Sequence, residues 1–207
     1  MQDAKCKICR RAGEKLFLKG ERCFTPKCAV SRKPYPPGIH GRTARRSSSE
    51  FAAQLREKQK LRFLFQVGEQ QLKNYVRAAT QLKAGDAGEH VLEQLERRLD
   101  NVVFQAGFAQ SRSVARQLVT HGHILVNSRR VGIPSYRVAV SDAVSLSPHA
   151  LSMLTASDLD VRLKKYTPPS WLTLGPDQKI VTVLSLPSVK DSIYLAGTKF
   201  IIEYYSR

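Results

Sequence analysis

The sequence has little cysteine, little negative charge and no long hydrophobic run. Its 207 residues include 4 Cys and 17 Asp+Glu, against 34 Lys+Arg. No apolar stretch approaches the roughly 20 residues that span a bilayer, and the first residues lack the apolar core of a signal peptide. These absences argue against a membrane-spanning or secreted protein, and we expect a soluble protein of the cytosol or of an organelle.

The remaining composition is that of a folded protein with an unusual charge. Hydrophobic residues make up 42% of the chain and charged residues 25%, which argues against wholesale disorder. The length fits one large domain or two modest ones. A net charge of +17 predicts a polyanionic partner, either nucleic acid or an anionic membrane surface.

The positive charge is concentrated in two blocks. Residues 1–50 carry 13 basic and 4 acidic side chains, and residues 97–137 carry 7 and 1, whereas the other segments are nearly neutral. Every basic residue of the second block is arginine, whose planar guanidinium matches phosphate oxygens and stacks on bases. A membrane-surface protein would place exposed aromatics behind a basic helix, but here the aromatics are spread along the chain. The pattern favours nucleic-acid binding.

All four cysteines lie in the stretch "CKICRRAGEKLFLKGERCFTPKC". The pairs Cys6/Cys9 and Cys23/Cys28 have the spacing with which tetrahedral thiolate sites hold Zn²⁺. A disulfide framework would need an oxidising compartment, for which the sequence carries no targeting signal. A redox pair would need a strand before Cys6, and the five residues before it are too few to form one. An iron–sulfur cluster or free thiols remain alternatives. Since residues 1–45 contain few large apolar groups, we expect one structural zinc, which could contribute on the order of 10 kcal/mol to folding.

Periodicity predicts helices first and strands later. A capping box at Ser47 and Glu50 opens one helix, and "EQQLKNYVRAATQLK" and "GEHVLEQLERRLDNVVFQAG" form two more. Ser111 caps a helix in "RSVARQLVTHG", in which Val114 is expected to share the buried arc with Ala115 and two further apolar residues. Strands are predicted in "HILVN", "YRVAV", "AVSLS", "IVTVLSL" and "KFIIEYYSR". The Pro- and Arg-rich residues 32–46 form an extended basic arm that we expect to become ordered on RNA.

Several of these stretches together resemble a known family. The stretch "RLDNVVFQAGFAQSRSVARQLVTHGHILVNSRRVGIPSYRV" is similar to the RNA-binding motif named after ribosomal protein S-four. Outside the motif, "LFLKGERC", "YPPGIHG", "LREKQKLR" and "IEYYSR" resemble the same family. The resemblance runs nearly end to end, and the chain is identified as a member of the ribosomal protein S-four family of bacterial or organellar type, in its zinc-binding form.

The resemblance implies an α+β fold with two domains. A zinc-binding segment and basic arm (1–46) precede a helical domain (47–96), on which the tail from about 176 to 207 packs. The inserted domain (97–175) carries a small antiparallel sheet and contains the RNA-binding motif at about 97–160.

The resemblance also implies a function without catalysis. The family binds small-subunit ribosomal RNA at a multi-helix junction, nucleates assembly of the subunit body and contributes to translational accuracy. It contacts ribosomal protein S-five and lies near the channel through which mRNA enters. We therefore expect a ribosomal location in the cytoplasm, or in the stroma or matrix of an organelle, with no membrane partner and no independent homo-oligomer.

The expected site residues follow from the basic blocks and from positions that match the motif. The zinc ligands are Cys6, Cys9, Cys23 and Cys28. Residues expected to face RNA in the first half of the chain are Arg10, Arg11, Lys15, Lys19, Arg22, Lys33, Arg42, Arg45, Arg46, Arg56, Lys58, Lys60 and Arg62; Arg45 and Arg46 are those the family places near mRNA. Those in the second half are Arg112, Arg116, Gln117, His121, His123, Asn127, Arg129, Arg130 and Tyr136.

Two features of the motif leave questions for the structure. Pseudouridine synthases share the motif and place a catalytic aspartate in an "RLD" element, which here is Arg98-Leu99-Asp100. Because Leu99 lies on an apolar helical face, we expect Asp100 to pair with a nearby arginine and assign no catalytic residue. The hairpin reads Asn127-Ser128 where the family has Asn-Gly, and serine resists positive φ, so the turn geometry is left open.

Overall fold

The computed structural model divides the chain into two compact units. One unit comprises residues 1–91 and 194–207, and the other comprises residues 92–193. None of the helices in the described ranges is both long and apolar enough to cross a membrane. The residues whose structure is described are 4–43, 49–82, 85–153, 159, 162–163, 166–175, 179–188 and 195–206.

The first unit is helical. Its helices are α1 (Lys5–Ala12), α2 (Ala29–Arg32), α3 (Glu50–Leu64), α4 (Glu69–Gln81), the first part of α5 (Ala87–Glu96), and α9 (Leu195–Ser206). Ser49, rather than Ser47, caps α3, since its hydroxyl accepts a hydrogen bond from the Ala52 N–H at 3.3 Å. Ser47 itself lies outside the described residues.

The C-terminal segment corrects one prediction. "KFIIEYYSR" was expected to form a strand because it is rich in β-branched and aromatic residues, but its described residues belong to α9. Ile201 is buried on α9, and the Tyr204 ring lies 5.7 Å from that of Phe51 on α3. Packing of one helical face on α3 therefore overrides the local strand propensity.

The second unit combines helices with a five-stranded antiparallel sheet, which confirms the predicted α+β class. Its strands have the order β2-β1-β3-β5-β4. The strands are β1 (Ile124–Val126), β2 (Arg129–Arg130), β3 (Ala143–Leu146), β4 (Leu172–Leu174) and β5 (Ile180–Val183), and the helices are α6 (Leu99–Gln105), α7 (Arg112–Thr120) and α8 (Pro148–Met153).

The sheet differs from the sequence prediction in one domain boundary and in one strand. β5 lies within the segment predicted to pack on the helical domain, but it pairs with β3 and β4 in the second unit. Val181 on β5 is fully buried in that unit's core, so this strand completes the sheet. "YRVAV" is not a strand of the sheet: Arg137 forms only an isolated bridge with Arg98.

Helix α7 begins as predicted, but fewer of its residues are buried than the sequence predicted. Ser111 accepts a hydrogen bond from the Val114 N–H at 3.4 Å, which confirms the N-cap. Ala115 and Val119 are fully buried, whereas Val114 is 39% exposed. The prediction that Val114 is buried was wrong, because the core contacts only the central stripe of this helix.

The hairpin between β1 and β2 keeps the geometry that Asn-Gly would give. Asn127 and Ser128 have φ values of 49° and 66°, so both lie in the left-handed region. The Asn127 side chain stabilises the turn: its Nδ2 donates to Asp142 Oδ1 at 2.7 Å, and its Oδ1 accepts from the Ala143 N–H at 2.9 Å. Serine is therefore held at φ > 0 by the surrounding hydrogen bonds.

A buried ion pair lies where α6 begins. Arg98 is fully buried, and its Nε and Nη2 donate to the two carboxylate oxygens of Asp100 at 3.0 and 2.7 Å. Arg116 of α7 lies 3.5 Å from the same carboxylate. The expectation that Asp100 pairs with a nearby arginine is confirmed.

We predict that Ser128→Gly stabilises the protein by about 0.5–1 kcal/mol. A non-glycine residue in the left-handed region costs roughly 1–2 kcal/mol, from which the larger chain entropy of unfolded glycine must be subtracted. Urea unfolding measures the change. Ser145→Gly on β3 is the matched control and should be destabilising, since that residue is in an extended strand. A loss of stability in both variants would contradict the assigned turn.

We predict that Asp100→Asn lowers the free energy of unfolding by about 3 kcal/mol or more, because it leaves the buried Arg98 charge without its partner. The control is Glu93→Gln, which breaks the 2.9 Å pair between Glu93 and Arg97 on the partly exposed face of α5. That change should cost about 0.3–0.5 kcal/mol. Similar unfolding midpoints in urea for the two variants would refute the structural role of Asp100.

Candidate nucleic-acid interface and cysteine site

The four cysteines line one small pocket in the first unit. Lys5, Lys19 and Arg22 line the same pocket. Cys9 packs with the buried side chains of Leu16 and Leu18 in a small apolar cluster. As placed, however, no group of three or more Cys, His, Asp or Glu side chains among the described residues would hold a metal ion. The structure therefore brings the predicted ligands to one pocket without the geometry of a finished metal site.

Backbone N–H groups point at two of the thiols. Burial raises the pKa of Cys9, and hydrogen bonds from the N–H groups of Leu16 and Leu18 oppose that effect. For Cys28 burial also acts to raise the pKa, but the N–H groups of Val30 and Ser31, with the charge of Lys15, outweigh it and lower the pKa. Donors aimed at sulfur stabilise a thiolate, which is the form that binds metal.

The described part of the basic arm, residues 32–43, is attached to α1 through Arg10. Nε of Arg10 donates to the carbonyl of Tyr35 at 3.0 Å, and its Nη2 donates to the carbonyl of Pro36 at 3.2 Å. The guanidinium also lies 4.8 Å from the centre of the Tyr35 ring, which Arg42 approaches at 5.1 Å. Arg10 thus positions the arm. This contact between the arm and α1 was not predicted from the sequence.

A basic groove lies between α1, the arm and α3. It encloses about 870 Å³. Ile8, Leu55 and Phe63 supply apolar surface. Arg62 places its guanidinium 5.3 Å from the centre of the Phe63 ring. The cations lining the groove are Lys7, Arg11, Arg56, Lys60 and Arg62.

The groove brings together four of the predicted RNA-facing residues and adds Lys7. Lys7 stands one helical turn before Arg11 on α1, so the i, i+4 spacing could have identified it. Lys60 also pairs with Glu57 at 2.7 Å and with Glu14 at 3.3 Å. The other described cations predicted in this unit are exposed on its surface; they are Lys15, Lys19, Arg22, Lys33 and Arg42.

Lys58 is an exception among the predicted RNA-facing residues. Its side chain is 5% exposed, and its Nζ lies 2.6 Å from Glu69 Oε1 and 4.2 Å from the centre of the Tyr204 ring. Burial acts to raise the pKa of Glu69, but hydrogen bonds from Lys58 and Tyr205 lower it. Because this ammonium is enclosed and neutralised, we exclude Lys58 from the RNA surface.

In the second unit the arginines of α7 are partly used inside the protein. Nε of Arg112 donates to Asn101 Oδ1 at 2.9 Å, and its guanidinium lies 4.5 Å from the centre of the Phe104 ring. Arg116 faces Asp100, as described above. The polar arc of α7 is thus anchored to α6, and replacing these arginines would change stability as well as charge.

The β1–β2 hairpin presents two exposed cations. Arg129 and Arg130 form the two-residue edge strand β2, and both are exposed. Gln117 and His121 are exposed at the end of α7, with His123 partly exposed behind them, and Tyr136 is 36% exposed. Asn127 is exposed too, but its amide is hydrogen-bonded to Asp142 and to the Ala143 N–H at the start of β3. Arg45 and Arg46 lie outside the described residues.

Comparison with known proteins assigns the chain. Residues 1–96 match the family model of the ribosomal protein S4/S9 N-terminal domain, and residues 97–144 match that of the S4 domain. Small ribosomal subunit protein uS4 of Syntrophomonas wolfei is 44% identical over 205 residues, covering 99% of this chain and 98% of the relative. The uS4 proteins of Desulfitobacterium hafniense and Thermus thermophilus are 46% and 45% identical, each covering 98% of this chain and 96% of the relative. The chain therefore belongs to the family of small ribosomal subunit protein uS4.

Proposed function

We propose that this chain is a structural component of the small ribosomal subunit that binds its ribosomal RNA directly and catalyses no reaction. Near full-length similarity to proteins named uS4 supports the ribosomal role. The observation that carries RNA binding is the exposed pair Arg129 and Arg130 on an edge strand beside the polar end of α7. A short basic edge of this kind can follow an RNA backbone without reading its sequence.

The groove of the first unit supports a second contact with RNA. Its cations would neutralise phosphates, while Phe63 and the adjacent guanidinium of Arg62 offer a flat surface on which an unpaired base can stack. Since each unit carries its own basic surface, one protein molecule can hold two parts of a folded RNA. This arrangement suits nucleation of the assembly of the subunit body, which we propose as the more specific role.

The pseudouridine synthase alternative finds no support at Asp100. A catalytic carboxylate must reach its substrate, but Asp100 is 4% exposed and bonded at both oxygens to Arg98. In this chain the "RLD" element serves folding of the RNA-binding unit.

Family membership supports three further proposals. We propose that the protein contacts ribosomal protein S-five, contributes to translational accuracy, and lies close to the channel through which mRNA enters, with Arg45 and Arg46 nearest to the message. As a ribosomal component it would act in the cytoplasm of a bacterium, or in the stroma or matrix if it is organellar.

We also propose that Cys6, Cys9, Cys23 and Cys28 hold one structural zinc. Zn²⁺ with four thiolates carries a net charge of −2, which the three cations that line the pocket would more than offset. The N–H groups directed at Cys9 and Cys28 supply hydrogen bonds that such a site needs. A bound zinc would fix the few apolar residues of this segment, which form too small a core to order it unaided.

The RNA-binding proposal predicts a change in salt dependence for Arg129→Ala. Loss of one phosphate contact should lower the slope of log affinity against log salt by about 1, so the affinity deficit is largest at low salt. Filter binding or fluorescence titration of folded small-subunit rRNA measures this slope. Arg77→Ala on the exposed face of α4 removes the same charge outside the proposed surfaces and should leave the slope unchanged. Equal slopes for the two variants would contradict the assigned surface.

The zinc proposal predicts one zinc per chain with Zn–S distances near about 2.3 Å. Metal analysis gives the stoichiometry, and substitution by Co²⁺ should give the absorption bands of tetrahedral thiolate ligation. Cys23→Ser should lower metal affinity and expose the remaining thiols to a thiol reagent. Absence of zinc, with thiols that react at the same rate before and after treatment with a chelator, would refute the site; bound iron would favour the cluster alternative.

A further inference from the structure

Three of the five histidines lie together at one end of β1 in the second unit. His121 and His123 flank Gly122 at the turn from α7 into β1, and their rings are nearly parallel with centres 6.1 Å apart. The ring of His149, on α8, lies 5.6 Å from that of His123. His149 follows residues 97–144 that match the S4 domain, and neither the charge pattern nor the motif pointed to it.

Arg130 completes the cluster from β2. Its Nη2 donates to the carbonyl oxygen of His121 at 2.9 Å, which holds the guanidinium over the turn. Gly122 makes this approach possible: its φ is +70°, and a Cβ at this position would overlap the guanidinium of Arg130. The glycine therefore lets a permanent positive charge lie directly over the turn that carries two of the imidazoles.

The backbone also fixes the third histidine. The Ser147 N–H donates to the carbonyl of His123 at 2.8 Å, which continues the pairing of β1 with the chain after β3. The Ser147 hydroxyl then accepts a hydrogen bond from the Ala150 N–H at 3.2 Å and so caps α8. These two contacts place His149 beside His123 irrespective of any ligand.

The charges in the cluster have one sign. Burial, followed by His149, His121 and Arg130, lowers the pKa of His123. No carboxylate is among the described charged groups that act on this ring. In the free protein, protonation of one histidine thus opposes protonation of the next, and an anion placed among them would remove that opposition.

We propose that His121, His123, Arg130 and His149 form a binding site for one phosphate group of the RNA, and that the histidines take up protons as the phosphate binds. This inference rests on the proposed RNA-binding function and adds a specific site, a new residue and a pH dependence to it. Protonated imidazoles and the guanidinium would donate N–H groups to the phosphate oxygens. The site depends on Gly122, which leaves room for the Arg130 guanidinium, and on the Ser147 cap of α8, which positions His149.

The sign of the pH dependence follows from proton binding. The complex holds more protons than the free protein and RNA, so affinity should rise as the pH falls through the range just below about 6.5, the ordinary pKa of histidine. The stability of the free protein should change with pH in the opposite direction. The unfolded chain binds a proton at His123 more readily than the folded one, so this residue's contribution to stability is lost as the pH falls through the same range.

The test is the affinity of the full-length protein for folded small-subunit rRNA between about pH 7.8 and about pH 5.8, at constant ionic strength. Uptake of one proton gives at most a tenfold gain per pH unit, and only between the pKa of the free site and the higher pKa of the complex, so we expect about a tenfold gain overall. His123→Asn and His149→Asn should each reduce that gain. His149→Arg, with a permanent charge, should bind more tightly than the wild type at high pH and gain less at low pH. His90→Gln on α5 is the control and should behave as wild type.

A second measurement does not depend on RNA. An NMR titration of the histidine ring protons of the free protein, with and without inorganic phosphate, should show that phosphate raises the pKa of His123. Wild-type RNA binding without pH dependence, or a dependence that survives in the His123→Asn/His149→Asn double variant, would overturn the site. Absence of a phosphate effect on His123 would also overturn it. Failure to bind rRNA at any pH would instead refute the proposed function.

Discussion

The RNA-binding unit depends on the buried pair of Arg98 and Asp100. Enclosing a guanidinium is costly unless a carboxylate meets it with good geometry, and here both carboxylate oxygens accept hydrogen bonds. The backbone around the pair is fixed at the same time: the N–H of Leu99 donates to the carbonyl of Tyr136 at 2.8 Å, and the N–H of Val138 donates to that of Arg97 at 3.0 Å. Because Arg116 faces the same carboxylate, this one ion pair orients α6, α7 and the segment that leads into the sheet.

Three acidic residues make contacts that organise the protein. Asp100 neutralises Arg98, Glu69 neutralises Lys58, and Glu96 accepts a hydrogen bond from Asn101 at 2.6 Å, which in turn accepts one from Arg112. Asp100 and Glu96 are buried, whereas the Glu69 side chain is 44% exposed and also lies 3.6 Å from Arg62 of the groove.

The N-terminal segment is held by different means. Its apolar cluster is small, and the described contacts that order it are polar: Arg10 hydrogen-bonds the carbonyls of the arm and stacks on Tyr35. Sulfur atoms with N–H donors directed at them lie at its centre. A segment built in this way gains stability from charge, hydrogen bonding and, as proposed, metal binding, which is consistent with its low content of large apolar residues.

Much of the fold and of the site follows from local sequence. Periodicity identified α3, α4 and α7, the Ser111 cap, β1, β3 and β5, because each signal is carried by residues close together in the chain. It predicted α5 and α6 as one helix, which is wrong, because Arg98 adopts an extended backbone conformation between them. Cysteine spacing and the two basic blocks identified the pocket and most of the basic surface. Other features depend on partners distant in sequence: α9 is a helix because it packs on α3, Lys58 is enclosed by Glu69 and Tyr204, and Ser128 adopts positive φ because Asn127 is bonded to Asp142 and Ala143. His149 joins His123 only through the pairing of Ser147 with β1. Sequence by itself determined which residues can form helices, ligands and positive charge, whereas tertiary structure decided which charges are neutralised and which remain exposed, since neutralisation requires two groups to meet in space.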